Sequence, residues 1–391
     1  MNTRKESYLL FAIILGLFGA LFGQESNIRV PLRFDRYYTY PEVVEAMEVL
    51  HQAFPTLTKL QELCKSEEGR GVYVLTINNA KTGSELDKSG VYVDGNIHGN
   101  EIQAGEVCLY LANYLLTNYG RNKRISKLVD KNVYYIIPVV NVDGRAHFFQ
   151  DPNTPSSNRG LRRPKDDDRD GLFDEDFPDD LDGDGSICQM RIKDPNGNLK
   201  ADPEDDRLMI QVKPGKKGEW RILGFEGIDN DGDGKLNEDS EGYVDPNRNW
   251  GYNWQPHYVE MGSGDFPFSG NVTRAISQFM IQRPNICVAF AFHNMGGVFV
   301  RGPSTKEEGE LHPKDVEVYD FLGEHAERIV PGYKYIIGWK EMYAMHGDFD
   351  NFSYHVIGAY SFVGELYTLR PESFKSIKEA ESKAIPAEGA A

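Results

Sequence analysis

The chain has 391 residues, of which 40% are hydrophobic and 12% aromatic, so it can bury the core of one large domain or two ordinary ones. Its formal net charge of −17 argues against nucleic acid as a partner. The four cysteines are scattered without a C-x-x-C pair, which argues against a zinc knuckle and a disulfide scaffold.

The first residues have the pattern of an export signal. Arg4 and Lys5 precede an apolar run over residues 8–23, with small residues near its end. This arrangement predicts a secretory signal peptide, residues 1–23, that is cleaved near Gln24. The alternative is a membrane anchor, but about 16 apolar residues are short for a membrane span. We therefore expect a secreted or periplasmic protein without a stable membrane span.

Apolar periodicity alternates between helical and extended patterns along the rest of the chain. In chain order the predicted elements are a helix over 37–54, strands over 71–78 and 91–93, a helix over 101–119, a strand over 132–140, a helix over 272–282, a strand over 286–292, a helix over 313–330 and a strand over 360–364. Near-continuous apolar strands that alternate with helices predict an α/β fold, in which a sheet carries helices on both faces.

His98 and Glu101 lie three residues apart, where an apolar strand that ends at Gly95 gives way to a helix. Open α/β sheets place their chemistry at such strand ends, and imidazole together with carboxylate suits zinc. The alternative is structural, with a turn histidine and a first-turn acid that the helix dipole favours. A catalytic zinc needs a third protein ligand. His293, which follows the apolar strand 286–292, is the candidate.

Further polar residues suit hydrolysis of a substrate that has a free carboxylate. Glu365 ends another apolar strand, where it could be the general base that metal-activated water needs; the alternative is an acid that faces water. Asn247 and Arg248 offer an amide and a bidentate guanidinium to a carboxylate. Arg162 and Arg163 could polarise a carbonyl beside the metal, although each alone is typical of a surface arginine.

Together these motifs resemble zinc metallocarboxypeptidases of the carboxypeptidase A/B type over residues 37–369. The resemblance rests on His-Gly-Asn-Glu from His98, Asn-Arg-Asn-Trp from Asn247, Ala-Phe-His-Asn around His293 and Ser-Phe-Val-Gly-Glu-Leu around Glu365. It implies a carboxypeptidase A-like, three-layer α/β/α fold with a mixed, mainly parallel central sheet. It also implies hydrolysis of the C-terminal peptide bond of peptides or proteins by water that zinc and a glutamate activate.

The resemblance implies a role for each matching residue. His98, Glu101 and His293 bind one zinc ion, Asp245 orients His98, Glu365 and Arg162 are catalytic, and Asn247, Arg248 and Tyr343 bind the substrate. We expect a secreted member of the family without a prodomain, with its catalytic domain over residues 30–375 and a linker-like tail over 376–391.

The C-terminal residue that such an enzyme prefers depends on the floor of its specificity pocket. The resemblance puts Phe349 at that position, which implies a neutral or hydrophobic C-terminal residue. The segment is one residue shorter than the family pattern, so Asp348 could instead reach the floor and favour lysine or arginine.

Residues 165–241 interrupt the resemblance with 24 acidic and 11 basic side chains. Three Asp-rich clusters that end in glycine resemble calcium loops, although none has glutamate at its twelfth position. The candidate calcium ligands are Asp166, Asp168, Asp170, Asp182, Asp184, Asp229, Asp231 and Asp233. The alternative is a solvated, disordered acidic loop. We expect this insertion to lie at the rim of the cleft and to restrict the access of substrates.

Two other functions stay open. The same fold could act on cell-wall peptides or acyl amino acids, although the pair Asn247 and Arg248 favours an ordinary peptide C-terminus. The chain could also be an inactive, calcium-bound binding module, against which the complete set of ligand candidates and Glu365 argues.

Overall fold

The structure is a computed structural model, and it describes residues 30, 32–152, 158–166, 169–237 and 242–367. The predicted signal peptide, the predicted tail and Asp168 of the first acidic cluster lie outside these residues. None of the helices within the described ranges combines the length and the apolar character that a bilayer-spanning segment needs.

Helices and strands alternate along the described residues. The strands are β1 (Thr58–Lys65), β2 (Gly71–Ile77), β3 (Ser89–Gly95), β4 (Asn132–Ile137), β5 (Leu161–Arg162), β6 (Gln189–Lys193), β7 (Leu199–Ala201), β8 (Met209–Gln211), β9 (Trp220–Phe225), β10 (Tyr243–Val244), β11 (Ile286–Asn294), β12 (Val298–Arg301), β13 (Lys334–Ile337) and β14 (Tyr360–Leu366). The helices are α1 (Tyr40–Ala53), α2 (Gln103–Asn118), α3 (Lys123–Lys131), α4 (Val142–Gln150), α5 (Asn271–Ile281), α6 (Pro313–Ile329), α7 (Gly338–Glu341) and α8 (Phe349–Phe352).

A mixed sheet of eight strands forms the centre of the fold, in the order β1–β2–β4–β3–β11–β14–β12–β13. The four middle strands β4, β3, β11 and β14 run parallel, whereas β1, β2 and β4 pair antiparallel at one side and β12 pairs antiparallel with β14 at the other. Tyr92 of β3 contacts Phe349 of α8 on one face, and Gly95 approaches Ala104 of α2 on the other. The predicted α/β fold, a sheet with helices on both faces, is confirmed.

The core fills the space between this sheet and its helices. Residues 133–137 of β4 are buried without interruption, because helices cover both faces of the sheet there. This burial explains why the middle strands appear in the sequence as continuous apolar runs rather than as an alternating pattern.

The carboxyl ends of the parallel strands meet at one edge of the sheet. Gly95 at the end of β3 pairs with Phe292 of β11, and His293 of β11 pairs with Glu365 of β14. The chain segments that carry the predicted ligands therefore leave the sheet side by side, as expected for the site of an α/β fold.

The acidic insertion lies between β5 and β10, two short strands that pair antiparallel with each other. Within it, four strands form a separate antiparallel sheet in the order β6–β9–β7–β8. Along β9, half-buried residues alternate with exposed ones, so one face of this small sheet is turned to solvent. The insertion thus contains regular structure, unlike the disordered loop that its composition alone allowed.

Candidate active site

Three buried side chains converge where β3 and β11 end. His98, Glu101 and His293 have ligand atoms within 4.8 Å of one another. Nδ1 of His98 lies 2.7 Å from Oε1 of Glu101, and Nδ1 of His293 lies 3.0 Å from Oε2 of the same carboxylate. The two imidazole rings stand edge to face, with centroids 4.9 Å apart. Two imidazole nitrogens and both carboxylate oxygens therefore face a common point.

This donor set fits a catalytic zinc ion. Two histidines and one glutamate are a ligand combination of zinc hydrolases, and they leave one position for water. Nε2 of His293 is buried and forms no hydrogen bond with any described residue, and the buried Oε2 of Glu101 has Nδ1 of His293 3.0 Å away. A cation between these groups would compensate the charge of the buried carboxylate, which supports the fit.

Asp245 orients His98. Nε2 of His98 lies 3.1 Å from Oδ1 of Asp245, so a proton on Nε2 donates to the carboxylate and leaves Nδ1 to face Glu101. Burial opposes the ionisation of Asp245, but His98 and Arg248 outweigh burial and hold its pKa well below the usual value. Burial likewise opposes protonation of His98, yet Glu101 and Asp245 together raise its pKa to about 9. Both neighbouring carboxylates are consequently anionic.

Glu365 lies beside this cluster, paired with His293 across two strands, and lines the same cavity. Burial raises the pKa of the Glu365 carboxyl group above its usual value; His293 opposes the increase and Glu101 adds to it. A carboxylate with a raised pKa next to a metal centre can take up a proton from water and release it again.

The arginine beside the cluster is Arg159 and not Arg162. Nη1 of Arg159 lies 3.7 Å from Oε1 of Glu101, and its Nε donates to Oδ2 of Asp245 over 3.1 Å. Arg162 instead donates to Asp151 over 2.7 Å and does not line the cavity. The structure thus contradicts the expected position of Arg162, because the side chain of this β5 residue points away from the ligands.

Backbone contacts bring Arg159 to the cluster, and no sequence motif predicts these contacts. The N–H of Gly99 donates to the carbonyl oxygen of Arg159 over 3.1 Å, and a Cβ at Gly99 would lie 2.1 Å from the carbonyl oxygen of Asn158. Glycine is therefore required for this close approach. Nδ2 of Asn141 donates to the carbonyl oxygens of Arg159 and Gly160. Three arginines, Arg159, Arg162 and Arg163, lie within five residues of the sequence. Only the conformation of the folded loop determines which of them lies beside the cluster.

A cavity of about 210 Å³ opens beside the ligands. Asn247 and Tyr343 line it, as expected for residues that bind a substrate. Tyr343 is half exposed, whereas Asn247 is buried and accepts a hydrogen bond from the backbone N–H of Phe349 through its Oδ1. The predicted substrate-binding residues Asn247 and Tyr343 therefore lie next to the candidate zinc ligands.

Arg248 lies behind this lining. Its Nη1 donates to the carbonyl oxygen of Asn247 over 2.7 Å, its Nε donates to Oε1 of Glu260 over 3.0 Å, and the ring of Tyr343 lies 6.0 Å from the guanidinium. Oε2 of Glu260 also accepts hydrogen bonds from the backbone N–H and from Nδ1 of His346. Glu260 therefore connects the arginine to the loop that carries Tyr343. No motif marks Glu260, so sequence reasoning missed it.

The floor of the cavity differs from the leading expectation. Phe349 is fully buried between Tyr92 and Trp250, so the assignment of Phe349 to the pocket surface is wrong. Its two neighbours in sequence, Asp348 and Asp350, line the cavity instead. Consecutive side chains at the start of α8 point in different directions, and the aromatic one is directed into the core.

These two aspartates are buried acids. Burial raises the pKa of Asp348 to about 6. Burial, reinforced by Asp348, raises the pKa of Asp350 well above its usual value. Oδ1 of Asp350 is buried and accepts no hydrogen bond from any described residue. The floor thus combines two acidic groups, whose ionisation burial opposes, with unused hydrogen-bonding capacity at Oδ1 of Asp350.

The candidate calcium ligands fall into two sets. Three groups have carboxylate oxygens within 4.8 Å of one another, namely Asp170 with Glu175 and Asp231, Asp176 with Asp229 and Asp231, and Asp180 with Asp182 and Glu226. Asp166, Asp184 and Asp233 fall outside these groups; their side chains accept hydrogen bonds from backbone N–H groups of their own loops, as those of Asp170, Asp182 and Asp229 also do. The insertion joins the domain next to Arg159 and Asp245, but none of its described residues lines the cavity.

The sequence resembles known proteins over part of its length. Human carboxypeptidase D is 32% identical over 155 residues, which cover 40% of this chain and 11% of that protein. The inactive metallocarboxypeptidase ECM14 of Saccharomyces cerevisiae is 31% identical over 127 residues, which cover 32% of this chain and 29% of that protein. The matched segments therefore span less than a third of the length of these relatives.

The comparison of folds and the comparison with family sequence models both point to carboxypeptidases. The crystal structure of carboxypeptidase A from Helicoverpa armigera superposes with a TM-score of 0.58 and 19% identity, over 97% of this chain and 78% of that one. At this identity the likeness shows the fold. The sequence model of the zinc carboxypeptidases, Peptidase M14, matches residues 43–208 and 226–381. Because this match covers most of the chain, the protein belongs to the zinc carboxypeptidase family.

Proposed function

We propose that the protein is a zinc-dependent metallocarboxypeptidase that releases a C-terminal lysine or arginine from peptides or proteins. The observation that carries this proposal is a single cavity that joins the zinc-ligand cluster and Glu365 to a floor with Asp348 and Asp350. The cluster and Glu365 support hydrolysis, and the two aspartates support the choice of the terminal residue.

The residues divide the chemistry among them. His98, Glu101 and His293 would hold the zinc ion, which would supply a Lewis acid and lower the pKa of a water molecule. Glu365 accepts the proton of the attacking water and passes it to the departing amine. Arg159 donates hydrogen bonds to the oxygen of the scissile carbonyl as negative charge develops there. Asn247 and Arg248 hold the terminal carboxylate, and Tyr343 covers it.

A cationic side chain complements the cavity floor. Two neighbouring carboxylates in a buried site repel each other, and an apolar substrate side chain would leave that repulsion uncompensated. An ammonium or guanidinium group offers the donors that Oδ1 of Asp350 lacks. The floor therefore favours lysine or arginine over the neutral residues that Phe349 would have favoured.

A panel of peptides that differ only in their last residue tests this function. We expect rapid release of C-terminal lysine and arginine, slow release of leucine and phenylalanine, and one zinc ion per active chain. Removal of zinc with a chelator should abolish turnover, and added zinc should restore it. Preferential release of leucine would contradict the role of the aspartates, and turnover without zinc would contradict the mechanism.

Related assays distinguish the proposed carboxypeptidase from two alternative functions. Cleavage of cell-wall peptides or of acyl amino acids, but not of ordinary peptides, would favour the same fold with another substrate. The absence of turnover in a zinc-loaded protein that still binds peptides would favour an inactive binding module. The pair Asn247 and Arg248 supports a substrate with an ordinary peptide C-terminus, and the complete cluster of candidate ligands together with Glu365 argues against an inactive module.

We also propose that residues 1–23 direct export of the protein, so that the mature chain begins near Gln24. N-terminal sequencing of protein recovered from the periplasm or the medium tests this proposal. A chain that retains Met1 and stays in the cytoplasm would contradict it.

Calcium in the insertion is a separate proposal, supported by the three carboxylate groups that contain Asp170, Asp182, Asp229 and Asp231. The oxygen atoms of several carboxylates are hard ligands that suit Ca²⁺, and a bound Ca²⁺ ion would offset the repulsion between these carboxylates. We expect calcium to raise the unfolding temperature and its selective chelation to change activity toward large substrates. If chelation changes neither property, the insertion does not use calcium.

A further inference from the structure

The domain has a second surface depression next to the zinc-ligand cluster, which we call the aromatic groove. It has a volume of about 450 Å³, and its walls are formed mainly by Phe34, Tyr37, Gln103, Val107 and Tyr110. We propose that the aromatic groove binds an aromatic or other large apolar side chain of the peptide substrate, upstream of the scissile bond. This inference rests on the proposed carboxypeptidase function and extends it to the remote part of the substrate.

The groove suits an apolar ring. Phe34, Tyr37 and Tyr110 are 38%, 48% and 52% exposed, an unusual concentration of aromatic surface for one side of a domain. The rings of Phe34 and Tyr110 meet edge to face with centroids 5.1 Å apart. An edge-to-face pair leaves ring faces and edges free for a third aromatic group in the same geometry.

The charged residues of the groove are already paired. Asp35 accepts hydrogen bonds from Arg33, the guanidinium of Arg36 donates to Glu42, and Glu106 receives the buried guanidinium of Arg145. These internal ion pairs leave no excess charge for a ligand to neutralise. The chemistry of the groove therefore selects apolar groups rather than ions.

One hydrogen-bonded pair separates the groove from the catalytic cavity. Gln103 lines the groove and lies two residues after the ligand Glu101. Its Oε1 accepts a hydrogen bond from Nδ2 of Asn294 over 2.8 Å. Asn294 directly follows the ligand His293 and lines the catalytic cavity. The two depressions are thus neighbours, and a bound peptide can extend from one to the other.

The order of the strands gives the direction and length of that path. Asp350 lies next to Ser361 of β14 and to Gly302, which follows β12, whereas Gln103 begins the helix that follows β3. From β14, or from β12 beyond it, there are two or three strand spacings to β3, roughly 10 to 14 Å. An extended peptide covers this distance with about three or four residues. A substrate with its last residue on the aspartates would thus bring a residue three to five positions upstream to the groove.

Kinetics with substrates of two lengths test this proposal. One substrate is an acetylated dipeptide that ends in lysine, and the other is a set of acetylated heptapeptides that end in lysine and carry one phenylalanine at successive upstream positions. For the wild type, we expect the highest kcat/KM when phenylalanine lies three to five residues before the scissile bond. Tyr110→Ala should lower the ratio of kcat/KM between this heptapeptide and the dipeptide by about five- to tenfold.

Phe321→Ala is the matched control, because Phe321 is an exposed aromatic residue of another helix, 64% exposed, and does not line the groove. It should leave the ratio unchanged. An equal loss with the long and the short substrate, or an unchanged ratio in Tyr110→Ala, would overturn the proposal.

Binding measurements separate this inference from the proposed function. Dipeptide turnover reports the catalytic site alone, whereas the affinity for a fluorescent, phenylalanine-containing heptapeptide reports the groove even if the chain does not hydrolyse it. We expect Tyr110→Ala to weaken this affinity about fivefold. Equal affinities would overturn the inference, and so would a dimer of the wild type that Tyr110→Ala dissociates, because the groove would then be filled by a second copy.

Discussion

His293 and Glu365 occupy paired positions on the adjacent parallel strands β11 and β14. The third ligand of the candidate metal centre and the candidate general base are thus held by the same ladder of backbone hydrogen bonds. His98 and Glu101, by contrast, lie on the segment that follows β3, where Glu101 faces both imidazoles. The central sheet therefore fixes the distance between the candidate general base Glu365 and the candidate ligand His293.

Replacing Glu365 with glutamine should separate zinc binding from turnover. The amide preserves the shape of the side chain but cannot accept the proton of water, so kcat should fall about 10²- to 10⁴-fold. Zinc content, measured by inductively coupled plasma mass spectrometry, should stay at one ion per chain. His293→Ala is the complementary variant and should lose zinc itself. Near wild-type activity of Glu365→Gln would exclude Glu365 as the general base.

Arg159 and Arg162 form a matched pair for mutation, because they lie three residues apart and both are partly exposed. Only Arg159 contacts Glu101 and Asp245. Arg159→Ala should lower kcat about 10²- to 10³-fold through the loss of a donor to the developing negative charge. Arg162→Ala, which loses the ion pair with Asp151, should change kcat by less than about threefold. A larger loss in Arg162→Ala would restore the role that the sequence motif implied for it.

The contrast between these arginines shows where sequence reasoning reaches its limit. The middle strands of the sheet were recognisable because full burial makes them continuous apolar runs, and strand ends followed by His98, His293 and Glu365 were recognisable with them. Which arginine lies beside the candidate ligands depends on how closely the loop with Asn158 and Arg159 approaches Gly99. No local sequence pattern contains that information.

The pocket floor was predicted only as an alternative, through Asp348, and the sheet of the insertion was not predicted, for similar reasons. The direction in which Phe349 and its neighbours point depends on the start of a four-residue helix, which periodicity cannot locate. The strands of the insertion have three to six residues, and acidic loops dominate the composition around them. Short strands in a charged segment produce no clear apolar pattern, so its sheet was not predicted.

Glu260 should act as a positioning residue for Arg248. Its Oε1 accepts the hydrogen bond of Nε of the guanidinium, which leaves Nη2 to donate to a substrate carboxylate. Its Oε2 accepts hydrogen bonds from the backbone N–H and from Nδ1 of His346. Glu260→Ala should raise KM about tenfold for substrates with a free C-terminal carboxylate, with a smaller change in kcat. Glu260→Gln retains an acceptor oxygen for Nε and should recover part of this loss. If KM decreases in Glu260→Ala, the carboxylate competes with the substrate instead of orienting its partner.

The preference for a basic C-terminal residue should weaken as the pH falls through about 6. Burial raises the pKa of Asp348 to about 6, and burial together with Asp348 raises that of Asp350 well above the usual value. As the pH falls, both carboxyl groups take up protons and the floor loses its negative charge. A substrate lysine keeps its charge, because its pKa is about 10.4. The attraction between floor and substrate therefore disappears on the acidic side.

The ratio of kcat/KM for two peptides that end in lysine and in leucine, measured from about pH 5 to about pH 8, isolates this effect. Both peptides depend equally on the titration of the metal centre and of Glu365, so those contributions cancel in the ratio. We expect the ratio to increase with pH in the wild type. In Asp350→Asn it should be low and depend less on pH, because one of the two titrating carboxyl groups is absent. A wild-type ratio that is constant, or that increases as the pH falls, would contradict an anionic floor.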